Sequence, residues 1–586
     1  MSDLLNQASL IMVPSGYKED TVYSVVPSDG SGDLSFTRAS NGTRINSAGL
    51  VEVTPWNLAS YSEDFTNAAW SKANTTITAN DTTAPNGTTT ADKVISSAVN
   101  DEHLVYYFES QYFNQVVTLS AYVKKSDYRY AILRSYTNSA YRISVFDLDN
   151  GVITSQDLGA STIESVGNGW YRISTTFTTP SSTFSYQYAF SATQNFSYLG
   201  DGTSGNYLWG AQLNIGSTAK PYFPTTDRLN VPRLTYQNGG GGCPSLLLEK
   251  QSTNLLTYSE QFDNAGWTKY QGGTITANSV TSPDGTQNAD TLTVASGQTY
   301  SGIYQSVSAS SDVYTVSIFA KYNTKRWLFF FDASASAQGW FDIQNGVLGT
   351  IPSGHTGTIE NFGNGWYRLT FKKNTAVIPS FFQIGLVDAD GSSTPSSNGS
   401  SYIWGAQLEA SSYPTSYIPT TSSSATRVAD ACFKSTSLLA NQTIACFFVD
   451  VVINQQPDNY AGIMEMRNGT TCDFYMLQYQ ASNTIEFRAR GSNGVENTVA
   501  VAPALGRKKI AMYRNGDRLA VFINGVKQAD QTSATAMSAF ANSAQTFYYN
   551  FDPAFGTYSN CININESIIF AGNALTDAEL ISLTTI

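Results

Sequence analysis

"NLASYSEDFTNAAW", from Asn57 to Trp70, returns almost unchanged as "NLLTYSEQFDNAGW", from Asn254 to Trp267. The likeness runs far past these openings. "TITANDTTAPNGTTTADKV" (from Thr76) is matched by "TITANSVTSPDGTQNADTL" (from Thr274), and "ESVGNGWYRISTTF" (from Glu164) by "ENFGNGWYRLTFKK" (from Glu360). "NYLWGAQLNIGSTAKPYFPTT" (from Asn206) is matched by "SYIWGAQLEASSYPTSYIPTT" (from Ser401). The pairs Trp70/Trp267, Trp170/Trp366 and Trp209/Trp404 lie 197, 196 and 195 residues apart, so length changes are confined to turns. This is a tandem duplication of one domain, residues 57–227 and 254–427.

Inside each copy the pattern is β. "VVTLSAYVKK" (from Val116) and "YTVSIFAKY" (from Tyr314) are apolar or alternating at strand length, and "GNGWYR" sets a turn directly before a strand. Asn-Gly pairs at Asn150, Asn168, Asn345 and Asn364 suit tight turns that need positive φ. Many short strands closed by such turns predict a sandwich or jelly roll. After Arg427 the text changes: "TIACFFVDVVINQ", "KKIAMYRNGDRLAVFINGVKQ" and "INESIIFAGNALTDAEL" predict a third, different β domain over 428–586, with a hairpin at Asn524–Gly525 and one short helix capped by Thr576 and Glu579. The fold class is therefore all-β. Residues 1–56 are expected to be an N-terminal attachment segment and 228–253 a linker, with the Gly239–Gly242 run as its hinge. A phosphate-cradling loop is rejected there because no Lys-Ser/Thr and no helix follow.

The totals agree. The chain has 586 residues, too many for one core, and only 13% are charged. The net charge of −12, with no basic stripe, argues against nucleic acid as a partner. No apolar run is long enough to insert in a membrane, and the N-terminus lacks a signal-peptide pattern. Cys243, Cys432, Cys446, Cys472 and Cys561 show no CxxC spacing and are odd in number, so they are read as mostly buried thiols.

The pattern "NLLxYSExFxNxxW … GNGWYR … WGAQLE" resembles the carbohydrate-binding-module-like jelly rolls of bacteriophage structural proteins. "TRASNGTRINSAGLVE" and "CPSLLLEKQSTNLL" resemble the segments that accompany those modules in tail-fibre and head-fibre proteins. The last domain, through "VFINGVKQ" and "IFAGNALTDAEL", is similar to concanavalin A-like or laminin G-like lectin sandwiches. The resemblance implies a virion protein: a fibre, spike or capsid-decorating adhesin, made in the host cytoplasm. It would be attached to other virion proteins through its N-terminal region and would present its sandwiches to bacterial surface glycans. It also implies a homo-oligomer, a trimer by analogy with other phage fibres. The rival readings are a spacer or cementing protein that binds no glycan, and a polysaccharide depolymerase.

The residues favour binding over catalysis. His103 and His355 fall at non-equivalent places in the two copies, there is no GxSxG, and the third domain offers only Glu465 in "GIMEMRNG". No catalytic residue is assigned. With 35 Tyr and 9 Trp, rings are available to stack on sugars. The Trp residues that recur in both copies are read as core, so the ligand candidates are aromatics that differ between copies: Trp327, Trp340, Tyr128 and Tyr130. No cofactor is required, but the acidic turns "FDLDNG" (Asp147, Asp149) and "VDADGSS" (Asp388, Asp390) could supply oxygen ligands to a structural Ca²⁺. A solvated turn is the simpler reading.

Overall fold

A computed structural model describes residues 2–110, 112, 115–137, 140–376, 381–454, 460–468, 471–479, 483–501, 505–550 and 561–586. The chain forms two compact units, one of residues 55–228 and one of residues 1–54 with 229–586.

The first unit is the first module. Its front sheet is six-stranded, in the order Val152–Gln156, Ala140–Asp147, Tyr130–Thr137, Phe184–Ser191, Leu104–Glu109, Ser71–Ala73. Its back sheet runs Ala160–Gly167, Trp170–Thr178, Val116–Lys124, Gly205–Ile215, Ala91–Ser96, Thr75–Thr82. All these pairings are antiparallel. The second module, within the other unit, repeats the design. Its front sheet runs Val347–Leu348, Ala337–Asp342, Trp327–Asp332, Phe381–Val387, Gly302–Ser306, Thr268–Tyr270. Its back sheet runs His355–Asn361, Trp366–Lys373, Tyr314–Tyr322, Gly399–Ala410, Ala289–Val294, Thr274–Val280. Identical strand order in both sheets makes the duplication structural as well as textual.

The repeated words serve as locks. The buried Asn57 amide donates to the carbonyls of Ala211 and Phe223 (3.0 Å each) and accepts from the amides of Ala59 (3.0 Å) and Leu213 (3.3 Å). Asn254 repeats all four bonds with Ala406, Ile418, Leu256 and Leu408. A buried amide with every valence met fixes three chain segments at once. The next residues continue the pattern. The Tyr222 hydroxyl lies between Ser62 Oγ (2.8 Å) and the Glu63 carboxylate (3.0 Å), and the Tyr417 hydroxyl between Ser259 Oγ (2.6 Å) and Glu260 (3.0 Å). The six recurring Trp are core residues, each at most 3% exposed.

The ends of the chain build the terminal sandwich. Its eight-stranded sheet runs Leu234–Thr235, Ser245–Glu249, Cys561–Ala571, Ile444–Ile453, Gly506–Asn515, Arg518–Ile523, Val526–Thr532, with Leu10–Met12 also paired to Cys561–Ala571. The facing nine-stranded sheet opens with Tyr17–Lys18, Thr21–Val22 and Leu34–Thr37. It continues through Ala431–Thr436, Gln545–Tyr549, Tyr460–Asn468, Thr471–Tyr479, Thr484–Arg490 and Glu496–Val501. Residues expected to form a separate attachment segment therefore contribute strands, and Leu10, Met12, Leu34 and Phe36 sit in the sandwich core. The expected linker likewise supplies two strands. Its glycine run is a packed turn: Gly239 to Gly242 all have positive φ. It presses so closely on the Asn46–Leu50 turn that a Cβ on Gly49 would meet the Gly239 carbonyl carbon at 2.3 Å. The Asn524–Gly525 hairpin and the Thr576/Glu579 capping box are present. All five cysteines are free; Cys243 is exposed, Cys472 half-buried, and the other three are buried.

A buried charge cluster ties these pieces together. Arg38 meets Asp430 at 2.9 Å, Arg233 meets Glu249 at 2.8 Å and also Asp430, and Arg427 meets Glu249 at 3.5 Å. Ser416 of the second module donates to Glu249 from both its amide (2.7 Å) and its hydroxyl (2.6 Å). Burial alone would raise the Glu249 pKa, yet the Arg427 and Arg233 guanidiniums hold it well below the usual carboxylate range.

Two stability predictions follow. Asp430→Ala leaves buried guanidiniums without a counter-charge, so it should cost about 3–5 kcal/mol in denaturant unfolding of this unit; an unchanged midpoint would contradict the cluster's role. Burial, and then the charge of Asp284, push the Glu260 pKa up to about 8. A raised folded-state pKa makes the contribution of this group complete below the unfolded carboxylate pKa and lost as pH rises toward 8. Glu260→Gln should therefore flatten the fall in melting temperature between pH 5 and pH 9, measured by thermal unfolding.

Candidate functional site

In each front sheet the alternation of side chains sends one set into the core and the other to the outer face. In "WLFFFD", Leu328 and Phe330 point inward into the core cluster. Trp327, Phe329 and Phe331 take the opposite face. Cross-strand register then composes a row on that face: Phe331 lies opposite Gln383, and Gln383 opposite Tyr304. Aromatic rings extend this row across the sheet. Ring centroids are 4.9 Å apart for Tyr300–Phe331, 6.4 Å for Phe331–Phe381, 4.5 Å for Phe381–Tyr304 and 6.0 Å for Tyr304–Tyr270. Tyr270 is exposed, and the other four rings are half-buried. Gln383 is buried beneath them and donates to the Tyr300 carbonyl. Buried Phe329 packs against Tyr300 at 6.3 Å between centroids, in space left by Gly385, where a Cβ would approach Phe329 Cζ to 2.4 Å.

The first module places different chemistry on the same lattice points. Tyr106 lies opposite Gln187, and Gln187 opposite Arg134, the position that Phe331 holds in the second module. Arg134 is 4% exposed, with its guanidinium 3.9 Å from the Tyr141 ring centroid and 4.1 Å from that of Phe196. It donates to the Glu102 carboxylate at 2.9 Å. Phe108, 59% exposed, packs edge-on against Tyr106 at 5.4 Å. Ring faces beside amide and guanidinium groups offer apolar surface to stack on together with hydrogen-bonding groups.

The residues singled out from the sequence lie in mixed positions. Trp327 and Trp340 are on the outer face of the second module and half-buried, Trp327 under the Arg326 guanidinium at 5.5 Å and Trp340 donating to the Ser392 carbonyl at 2.7 Å. Tyr130, 9% exposed, packs on the outer face of the first module with Ile132 and Val145. Tyr128 belongs to the inner core, its hydroxyl 2.6 Å from Ser96 Oγ. The second module has Lys325 there, bound to Asp388. His103 lies between the carbonyls of Asn74 and Tyr198, and His355 on the Asp332 carboxylate at 3.1 Å. Glu465 is buried against Arg467 at 3.2 Å.

The acidic turns hold cations of the protein's own. Arg129 grips Asp147 through two nitrogens (2.6 and 3.1 Å), and this pairing holds the Asp147 carboxyl well below the usual range. Asp149 pairs with Lys125 at 2.5 Å. Asp388 takes Lys325 and the Ser396 amide (2.6 Å), and Asp390 takes the Thr350 amide (3.0 Å) and hydroxyl (2.9 Å). Among the described residues no three His, Cys, Asp or Glu side chains gather as a metal-binding group. The turn carboxylates named as possible calcium ligands are ion-pair and turn acceptors in this structure. The residues that sequence reasoning missed are Tyr106, Phe108, Arg134, Tyr141, Gln187 and Phe196 in the first module. In the second they are Tyr270, Tyr300, Tyr304, Phe331, Phe381 and Gln383. The available signal was that Arg134 and Phe331 differ at a matched position while Gln187 and Gln383 agree.

No protein-family model matches the chain, and no curated protein matches its sequence. Among solved structures it is similar to the carbohydrate-binding module CBM40 of the Ruminococcus gnavus IT-sialidase: 17% identity, 25% of this chain and 85% of that one, TM-score 0.21. It is also similar to the Caenorhabditis elegans galectin LEC-6: 10% identity, 23% and 88% coverage, TM-score 0.17. A third is domains LG4-5 of the mouse laminin alpha1 chain: 9% identity, 53% and 96% coverage, TM-score 0.17. These neighbours are lectin-like β-sandwich domains.

Gly385→Ala tests the packing of Phe329. The added methyl should displace its ring and cost about 1–3 kcal/mol of stability, measured by chemical unfolding; a neutral substitution would mean that Phe329 does not need the space this glycine leaves.

Proposed function

We propose that this protein is a non-enzymatic bacteriophage virion protein, a fibre, spike or capsid-decorating adhesin whose β-sandwich modules bind glycans of the bacterial surface. The observation that carries the binding half is the row Tyr300, Phe331, Phe381, Tyr304 and Tyr270 on the outer face of the second module. Such a row costs solubility on a protein surface and stabilises a sandwich little from outside, whereas it suits a polysaccharide lying across the strands. The virion half rests on the sequence resemblance of the modules and their connecting stretches to phage fibre proteins. Weak single contacts would be offset by presentation of many copies on one particle in a homo-oligomer.

A glycan array probed with the intact chain tests this reading. Binding to host surface polysaccharide is expected, with Tyr304→Ala and Phe381→Ala each weakening it about 10-fold or more, in keeping with about 1–3 kcal/mol for an aromatic stacking contact of comparable kind. No binding to any glycan would leave the spacer reading in its place. Release of reducing ends from the bound polysaccharide would replace the adhesin with a depolymerase.

A further inference from the structure

Cross-strand register fixes what the outer face of the second module's front sheet offers. Its middle row reads Thr268, Tyr304, Gln383, Phe331, Gln338, one residue from each of five strands. The row beside it reads Tyr270, Gly302, Gly385, Phe329, Trp340. Ser306 and Phe381 flank these rows on one side, and Val387, Trp327 and Asp342 on the other. Of all these, Asp342 alone is charged. It is buried, and Arg326 Nε donates to it at 2.8 Å while the guanidinium lies over Trp327 at the border of the face. Lys269 points away between Thr268 and Tyr270, giving its ammonium to the carbonyls of Asp263, Asn264 and Trp267 (2.9, 2.8 and 3.0 Å).

The fold does not impose this neutrality. The matching row of the first module reads Ser71, Tyr106, Gln187, Arg134, Ile143. There Arg134, paired with Glu102 at 2.9 Å, stands where the second module has Phe331.

We infer that the outer face of the second module takes an uncharged polysaccharide, a chain without carboxylate, phosphate, sulfate or amino groups, laid along the middle row. This rests on the glycan-binding reading of the module faces and adds the class of ligand. An anionic chain would set its charges over ring faces, the negative side of the aromatic quadrupole, with no uncommitted cation on the face to meet them. A cationic chain would lose water at its charges and find the one carboxylate already paired with Arg326. An uncharged chain meets neither penalty. Tyr304 and Phe331 offer rings at alternate points of the row, and Gln383 and Gln338 are the amides among them, which suits sugars with apolar faces and hydroxyl edges. Five strands at roughly 4.8 Å spacing make the row about 19 Å long, room for several sugars end to end. The row is open to solvent: Tyr270 and Thr268 are exposed, and Tyr304, Phe331 and Gln338 are half-buried.

A glycan array probed with the intact chain, with Tyr304→Ala and with Tyr270→Ala tests the assignment. The ligands of this face are those that a variant with the parent's melting temperature binds at least about 10-fold more weakly. Tyr270 is an exposed ring, so its variant keeps the test open if Tyr304→Ala unfolds the sheet. Those ligands should all be uncharged, and about 1 M NaCl should leave their affinity within about twofold, because there is no ion pair to screen. Carboxylated, phosphorylated, sulfated or aminated glycans among them would overturn the assignment. So would self-association in sedimentation that either variant abolishes, since a second copy would then cover the face. If the array shows ligands and neither variant weakens any, this inference alone falls. If the intact chain binds nothing on the array, the reading of the faces as glycan sites falls with it.

Discussion

Each module depends on one buried amide. Asn57 and Asn254 make four hydrogen bonds apiece, tying the opening stretch of the module to its longest back-sheet strand and to the Pro-Thr exit segment. A buried side chain with both donors and both acceptor sites filled tolerates no other register, since any slip would strand several polar groups. With the back sheet and the module ends fixed in this way, the core closes and the front sheet is held with its second face outward. The ring rows exist because that face is left free while the other is committed to the core.

The same logic at larger scale governs the terminal sandwich. Strands from residues 10–37, 234–249 and 431–571 share its sheets, which demands an anchor where the pieces meet. The Arg38, Arg233, Arg427, Glu249 and Asp430 cluster is that anchor, and Ser416 brings the second module into it. Buried ion pairs contribute little net stability compared with apolar packing, but they penalise every arrangement in which a partner is missing. Here they specify which segments meet.

Much of this was legible in the sequence. The duplication, the all-β class, the core role of the recurring Trp and the Asn524–Gly525 hairpin are local signals of period, turn chemistry and repeat. The place of residues 1–54 was not legible, because Leu10 pairs with Ile569 and nothing near Leu10 encodes a partner so distant in sequence. Gly239–Gly242 looked like a hinge because composition cannot distinguish a free glycine from one pressed against Gly49. The face residues were missed for a related reason. Abundance and disagreement between copies drew attention to Trp327, Trp340, Tyr128 and Tyr130, whereas membership of a row is set by cross-strand register. Arg134 and Phe331 disagree as clearly, but one is not aromatic and the other is one Phe among three in "LFFF". The ion pairs of the acidic turns were not legible, because their cations, Arg129 and Lys325, come from other loops, just before the strands Tyr130–Thr137 and Trp327–Asp332.

The central claim is that the outer faces of the front sheets are where glycan lies. A crystal structure of the intact chain soaked with an oligosaccharide drawn from a glycan array tests it most directly. The account predicts sugar density crossing the strands over Tyr304, Phe381 and Phe331, or over Tyr106 and Arg134. Sugar bound to the terminal sandwich alone, with both rows bare, would contradict it.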